Sequence, residues 1–221
     1  MNLEMQHSKQ QAGQQKTPFD LFEKWYNQAI EQEINDPNAM NLSTVSPNLQ
    51  PNSRMVLMKS FDPGGFVFNT NLQSKKSEII RTNALVALNF HWKSLHKQVR
   101  IEGKAVLISD KEANDCFAER PHEHQVAAWA SKQSKRLHHG DAGNAWDSSG
   151  LRVHWRENLN KRIKRFNTIF SHQPMRRPSY WGGYRVIPHY FEFWWDVQYR
   201  LHDRMVYEKN EQDWETYSLY P

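Results

Sequence analysis

One stretch limits the fold more than any other. Over residues 98–108, Val99, Ile101, Ala105 and Leu107 fall on one side of an extended chain, and Arg100, Glu102 and Lys104 fall on the other. A period of two predicts a strand with one face on a core and one face in water. Strands of that kind suit antiparallel sheets, and the rest of the chain supplies partners. Residues 41–46 and 54–61 flank the turn Pro47-Asn48-Leu49-Gln50-Pro51. Residues 66–70 follow Asp62-Pro63-Gly64-Gly65, which predicts a hairpin. A short apolar run covers 84–90. Runs rich in aromatic and branched residues cover 184–187, 190–195 and 204–207, and a polar turn over 208–213 leads to a last strand over 214–219.

Helices are predicted at the ends and edges. Pro18 suits a first helical turn, and Phe22, Trp25, Tyr26, Ala29, Ile30 and Ile34 recur at helical spacing until Asp36-Pro37 ends the helix. A short helix opens at Ser74-Lys75-Lys76-Ser77. Ser109-Asp110-Lys111-Glu112 is a capping-box pattern, so a helix runs from there to about residue 119. Pro121 breaks it and another follows over 123–131. Later, Trp155, Leu159, Ile163, Phe166 and Phe170 share a helical face, with Lys161, Arg162, Lys164 and Arg165 around it. Residues 138–150 read as a loop. The fold class is therefore α+β, mainly antiparallel β, in the manner of a barrel with peripheral helices. No linker divides it: a flexible, Gln-rich arm over 1–17 and one domain over 18–221 are expected.

Charge and cysteine content narrow the function. A single cysteine, Cys116, allows no internal disulfide. No apolar run matches a signal peptide or a membrane span, so a cytoplasmic protein is expected. The net charge of +5 points to an anionic partner: nucleic acid, an acidic surface or a phosphorylated small molecule. Nine tryptophans indicate a packed protein with stacking surfaces.

Several common site patterns are absent. There is no glycine-rich phosphate loop, no dinucleotide turn, no H-E-x-x-H and no G-x-S-x-G. His122, His124, His138 and His139 are placed in loops and read as solvated, so no metal site is expected. What remains is a scatter of cations and amides at strand ends. Arg54 and Lys59 bracket one strand, Ser74-Lys75-Lys76-Ser77 opens a helix, Gln98 begins a strand, and Ser131-Lys132-Gln133-Ser134 follows a helix end. A helix start with free N–H groups beside two lysines can seat a phosphate. Taken singly, each feature is also ordinary surface, Trp181 is also ordinary core, and His202 is also a satisfied core histidine.

Taken together, these blocks resemble pyridoxamine 5′-phosphate oxidase. They are Arg54-Met55-Val56-Leu57-Met58-Lys59, Phe68-Asn69-Thr70-Asn71-Leu72-Gln73-Ser74-Lys75-Lys76, Lys97-Gln98-Val99, Arg120-Pro121, Trp129-Ala130-Ser131-Lys132-Gln133-Ser134, Trp181-Gly182-Gly183-Tyr184-Arg185-Val186, Phe191-Glu192-Phe193-Trp194 and Arg200-Leu201-His202-Asp203-Arg204. They stand in the family's order and near its spacing. The resemblance implies an FMN-binding split β-barrel that works as a homodimer, with FMN at the subunit interface. It implies that Arg54, Lys75 and Lys76 meet the FMN phosphate with Gln133 and Ser134 nearby. Met55, Val56, Leu57, Asn69, Thr70, Gln98, Trp181 and Arg204 would complete the flavin pocket, with Lys59 at its edge. Lys59 and Arg120 would hold the phosphate of a B6 vitamer, with Cys116 and His124 beside them. Arg200 and His202, the catalytic pair, would sit against the pyridine ring. Arg200, His202 and Arg204 are expected to alternate along one strand and share a face.

The chain departs from the family at the substrate end. Cys116 and His124 stand where a tyrosine and a serine are usual, Asn69 replaces a common tyrosine, and Lys75 stands where arginine is common, which loses a bidentate fork. Three readings follow. The first is an oxidase making pyridoxal 5′-phosphate with O2 as acceptor, the second an FMN-dependent paralogue of the phenazine-biosynthesis kind, and the third a non-catalytic FMN- or nucleic-acid-binding protein. Lys59 favours the first. Nucleic acid has only the basic helix around residues 161–165 in its favour, and a solvated face explains that helix as well.

Overall fold

The computed structural model describes residues 17–135, 153–211 and 213–221. Its strands are β1 (Ala39–Val45), β2 (Pro51–Asp62), β3 (Gly65–Asn71), β4 (Leu85–Trp92), β5 (Lys97–Leu107), β6 (Trp181–Trp195), β7 (Asp203–Asn210) and β8 (Asp213–Leu219). They pair antiparallel in the order β3-β2-β1-β4-β5-β6-β7-β8, and β3 also pairs with β6. That last pairing closes the first six into a barrel, and β7 and β8 continue outward from β6. Helices α1 (Pro18–Gln32), α2 (Lys75–Thr82), α3 (Asp110–Ala118), α4 (His122–Ala130) and α5 (Val153–Phe170) surround it. Residues 1–16 of the arm expected over 1–17, and the expected loop over 138–150, lie outside the described residues. Thr17 belongs to α1, because its side chain accepts from the Asp20 N–H and Asp20 reaches back to the Thr17 N–H, a capping box.

Aromatic rings fill the barrel. Phe22 of α1 is fully buried and packs edge-on against Phe61, Phe66 and Phe90, with ring centroids 4.9, 4.8 and 5.1 Å away. Trp25, one turn on, meets Phe193 and Trp195 of β6. Helix α1 thus inserts one face into the barrel mouth. Ile30 and Ile34, expected on that face, are exposed, and Ile34 lies beyond the helix, which stops at Gln32. In β5 the alternation holds at Val99, Ile101 and Ala105. It fails at Leu107, which is 58% exposed at the end of the strand.

Strand β6 is the spine. It pairs with β5 along its length, with β3 at one end and with β7 at the other. The sequence suggested two strands, 184–187 and 190–195, but they are one. Pro188 cannot donate to a ladder, and the register with β5 shifts there: Tyr190 faces Glu102 and Pro188 faces Gly103. A bulge absorbs the proline. Gly103 permits it, because a Cβ there would lie 2.4 Å from the Ile187 carbonyl oxygen. At the β2–β3 hairpin, Gly65 has φ +129°, and a Cβ would lie 2.1 Å from the Val186 carbonyl oxygen. The polar stretch expected as a turn over 208–213 is shorter, as β7 runs to Asn210 and β8 starts at Asp213.

Candidate active site

A cleft of about 800 Å³ opens between β2, β3 and the helix ends. Arg54, Met55, Val56, Leu57 and Lys59 line it from β2, Asn69 and Thr70 from β3, and Lys75 and Lys76 from the start of α2. Arg120 and the pair Gln133 and Ser134 complete it from the segments after α3 and α4. The lining also takes in Asn38, Asn52, Ser53 and Met58, which sequence reasoning missed. Arg54 and Lys59 lie inside β2 rather than at its ends. Lys59 is the extra residue of a second bulge, since Met58 faces Phe68 and Ser60 faces Val67. Bulges commonly re-aim a side chain beside a site.

Part of the cleft lining is densely cationic. Lys76 is buried, and its Nζ donates to Thr70 Oγ1 at 3.1 Å and to Ser74 Oγ at 3.3 Å. Burial lowers its pKa, and the nearby Arg54 lowers it further. Arg54 donates to the Leu42 carbonyl and to Thr44 Oγ1, and burial lowers its pKa too. Both groups are cations held close together, and no carboxylate lines the cleft among the described residues, a strain that an arriving anion would relieve. Ser74, the N-cap of α2, makes no side-chain cap, so the first N–H groups of that helix are not taken up by its side chain. Asn69 Oδ1 is buried and has no partner among the described residues. Ser134 holds a left-handed backbone, φ 65°, and the Gln133 side chain accepts from the Asn71 N–H.

Arg120 joins the lining from the segment after α3. Its guanidinium lies over the Trp181 ring, 5.1 Å from the centroid, and burial lowers its pKa. Its Nε is buried without a partner among the described residues, and one terminal nitrogen makes a long contact to the His124 carbonyl oxygen, 3.4 Å. Trp181 packs on Phe117, and Arg177 holds its carbonyl while also binding Asn114 and Asp110 of α3. So Trp181 backs Arg120 and does not line the cleft. Cys116 is half-buried on α3, and the His122 and His124 side chains are exposed in the first turn of α4, a helix rather than the expected loop. Neither Cys116 nor His124 lines the cleft. His138 and His139 lie outside the described residues. Among the described residues no three His, Cys, Asp or Glu side chains group as metal ligands.

The remaining predicted residues gather elsewhere. Gln98 pairs with Trp194 across β5 and β6, and Trp194 pairs with Arg204 across β6 and β7. The His202 ring lies 4.6 Å from the Trp194 ring, and its Nδ1 is 2.9 Å from Asp196 Oδ1, close enough for an ion pair but without hydrogen-bond alignment. Arg204 donates through Nε to Glu192 at 2.9 Å and through a terminal nitrogen to the Tyr220 carbonyl. Glu192 is almost fully buried and also accepts from Arg100 at 2.8 Å. Burial would raise its carboxyl, but Arg204 and Arg100 outweigh that and hold it below the usual range. Tyr190 is pushed up to about 12 by burial and by Glu192. Trp194 and Glu192 had no assigned role. A lone Glu between two Phe residues in an aromatic strand was the available signal, because a charge there needs a buried partner.

The expected strand through Arg200, His202 and Arg204 does not form. Gln198–Arg200 is a 3₁₀ turn, Tyr199 and Arg200 have φ near +60°, and β7 begins only at Asp203. Arg200 is exposed, His202 folds back on Trp194, and only Arg204 is in the ladder. A left-handed turn breaks the period of two. Within one chain, then, Gln98, Arg200, His202 and Arg204 stand apart from the cleft lining.

Comparison with known proteins gives a consistent result. Residues 26–142 match the family profile described as pyridoxamine 5′-phosphate oxidase. Residues 181–221 match the pyridoxine 5′-phosphate oxidase C-terminal dimerisation region. The chain is 43% identical over 197 residues to the pyridoxine/pyridoxamine 5′-phosphate oxidase of Acaryochloris marina, covering 89% of this chain and 83% of that one. It is 41% identical over 221 residues to the Brucella ovis enzyme of the same name, covering 99% of each. Among solved structures it is similar to PhzG from Burkholderia lata in complex with tetrahydrophenazine-1-carboxylic acid, with a TM-score of 0.80, 27% identity and 92% of each chain covered. A pyridoxamine 5′-phosphate oxidase-related, FMN-binding protein from Nostoc punctiforme shares the fold, with a TM-score of 0.69 at 15% identity over 93% of this chain and 99% of that one.

Proposed function

The chain belongs to the pyridoxine/pyridoxamine 5′-phosphate oxidase family, and on that premise we propose that it binds FMN in the basic cleft and oxidises pyridoxine or pyridoxamine 5′-phosphate to pyridoxal 5′-phosphate. The observation that carries the reading is the cleft itself: five cations from three parts of the chain, β2, the start of α2 and the segment after α3, converge in a lining that holds no carboxylate among the described residues. Two phosphorylated ligands must be held at once, and charge-assisted hydrogen bonds to phosphate are the strong kind.

The seat at Lys76 and Arg54 suits the cofactor phosphate, with Lys75, Gln133, Ser134 and the α2 N-terminus around it. Thr70 keeps Lys76 in place, Asn69 offers an unpaired acceptor, and Met55, Val56 and Leu57 give the flat edge of β2. Lys59 and Arg120 hold the substrate phosphate, with Cys116 and His124 behind Arg120. Trp181 enters through Arg120, whose guanidinium it faces, more than through the flavin. The second group, Gln98, Trp194, Arg200, His202 and Arg204, reaches the cleft of a partner subunit in a homodimer, and the C-terminal dimerisation match supports that arrangement. Arg200 and His202 then close over the pyridine ring, exclude water and fix C4′ in place. His202 keeps Nδ1 toward Asp196, which leaves Nε2 for the substrate side.

FMN, held by Arg54, Lys75, Lys76, Gln133 and Ser134, would supply the two-electron acceptor for the C4′ hydride, and O2 would take up those two electrons with two protons to give H2O2. With the amine substrate, water then releases ammonia from the substrate imine and yields the aldehyde.

The test is direct. The purified protein should be yellow and should convert either phosphorylated vitamer to the aldehyde under oxygen. Bound flavin with no turnover of either compound would sink the oxidase reading and leave an FMN enzyme of another substrate class. A colourless protein that cannot be reconstituted with FMN would sink both.

A further inference from the structure

The two cations assigned to the substrate phosphate are not in the same state. Arg120 keeps a buried Nε with no partner among the described residues. Lys59 is already engaged: its Nζ donates to Glu119 Oε2 at 2.7 Å. Glu119 is the C-cap residue of α3, directly before Arg120, so its carboxylate is tied to the substrate end of a cleft whose own lining carries only cations among its charged groups. Lys59 leans toward it from the bulge in β2.

We propose that Glu119 is a specificity-determining residue that occupies Lys59 in place of the phosphate, so that a phosphate monoester binds only by displacing it. The inference rests on the oxidase reading for the identity of the substrate. The pair is half-exposed, at 40% and 63% of the two side chains, so by itself it is weak and a dianion can break it. The displaced carboxylate nevertheless stays on the α3 C-cap beside Arg120, where it repels the bound dianion. Glu119 therefore lowers affinity for phosphorylated ligands without touching the ring or the cofactor seat. The penalty is electrostatic and partly exposed, so salt should erase most of it.

Glu119→Gln and Glu119→Ala test this in the FMN-loaded protein. With the cofactor end filled, calorimetric titration with pyridoxal 5′-phosphate, and with inorganic phosphate as a probe that lacks the ring, reports the substrate end. Both variants should bind both probes roughly three- to tenfold more tightly at low salt, with the gain shrinking below about twofold in concentrated NaCl. The KM for pyridoxine 5′-phosphate should fall by a similar factor, with kcat and flavin retention unchanged. Affinity that stays the same or weakens in both variants would overturn the proposal. So would an equal gain for unphosphorylated pyridoxal, which has no dianion to repel. A wild-type protein that holds FMN but turns over neither vitamer would defeat the oxidase reading alone, since the inorganic phosphate titration still decides the role of Glu119.

Discussion

Arg120 shows how much a single side chain can be asked to do. Its guanidinium is pressed on Trp181, desolvated, and left with a buried Nε that no described group accepts from. A half-buried charge in that state is costly until an anion arrives. Arg120→Ala should therefore weaken the phosphorylated substrate by roughly 1.5–3 kcal/mol, the usual worth of a charged hydrogen bond, which is about 10- to 150-fold in KM. FMN affinity, set at the Lys76 end, should move less than about twofold. Steady-state kinetics beside a flavin-fluorescence titration would check it, and equal losses for both ligands would contradict the division of the cleft into two phosphate ends. At this scale the sequence was a good guide to which cations gather in the cleft and a poor guide to what surrounds them. Arg54, Lys76 and Arg120 could be picked out from blocks of local sequence. The stacking of Trp181 on Arg120 joins residues 61 positions apart, and Glu119 meets Lys59 across 60, so no local pattern could reveal either contact.

Elements decide where those side chains stand. Helix α1 is held by its capping box and by Phe22, which touches rings from β2, β3 and β4 at once. Since β2 and β3 also wall the cleft, the barrel mouth and the site share a support. Phe22→Ala should cost about 3–5 kcal/mol, as deletion of a fully buried ring does, and chemical denaturation monitored by far-UV circular dichroism would measure it. A loss below about 1 kcal/mol would mean that α1 lies on the barrel without plugging it. The strands and the hairpin at Asp62–Gly65 were legible because they depend on period and turn chemistry. Their irregularities were less so. Pro188 looked like a strand break and is a bulge, because Gly103 on the neighbouring strand lets the backbones approach. The Lys59 bulge has no such marker in its own sequence. The 3₁₀ turn at Gln198–Arg200 overrode an apparent alternation through Arg200, His202 and Arg204, with left-handed φ values at Tyr199 and Arg200 that neither residue type advertises.

At the scale of the whole molecule, the proposed site has two parts that one chain does not bring together. The cleft holds Lys76 and Arg120, whereas Arg200 and His202 belong to the group around Trp194 and Arg204. A two-fold dimer would place one part from each chain at each of two equivalent sites. This arrangement has a consequence that no single-chain site shares. Take one variant with a broken cleft, Lys76→Ala with Arg120→Ala, and a second with a broken edge, Arg200→Ala with His202→Ala. Each alone should be inactive. In a mixed dimer, one site combines both damaged parts and the other combines both intact parts. Random exchange in equal amounts makes half of the dimers mixed, so about one quarter of all sites should regain full activity. Co-refolding or co-expression of differently tagged chains, followed by turnover measurement on the doubly tagged fraction, reads this directly. Purified mixed dimers should show about half the wild-type activity per dimer, because one of the two sites is whole. If each site were built within one chain, mixing would restore nothing, and the mixed dimers would be as inactive as their parents.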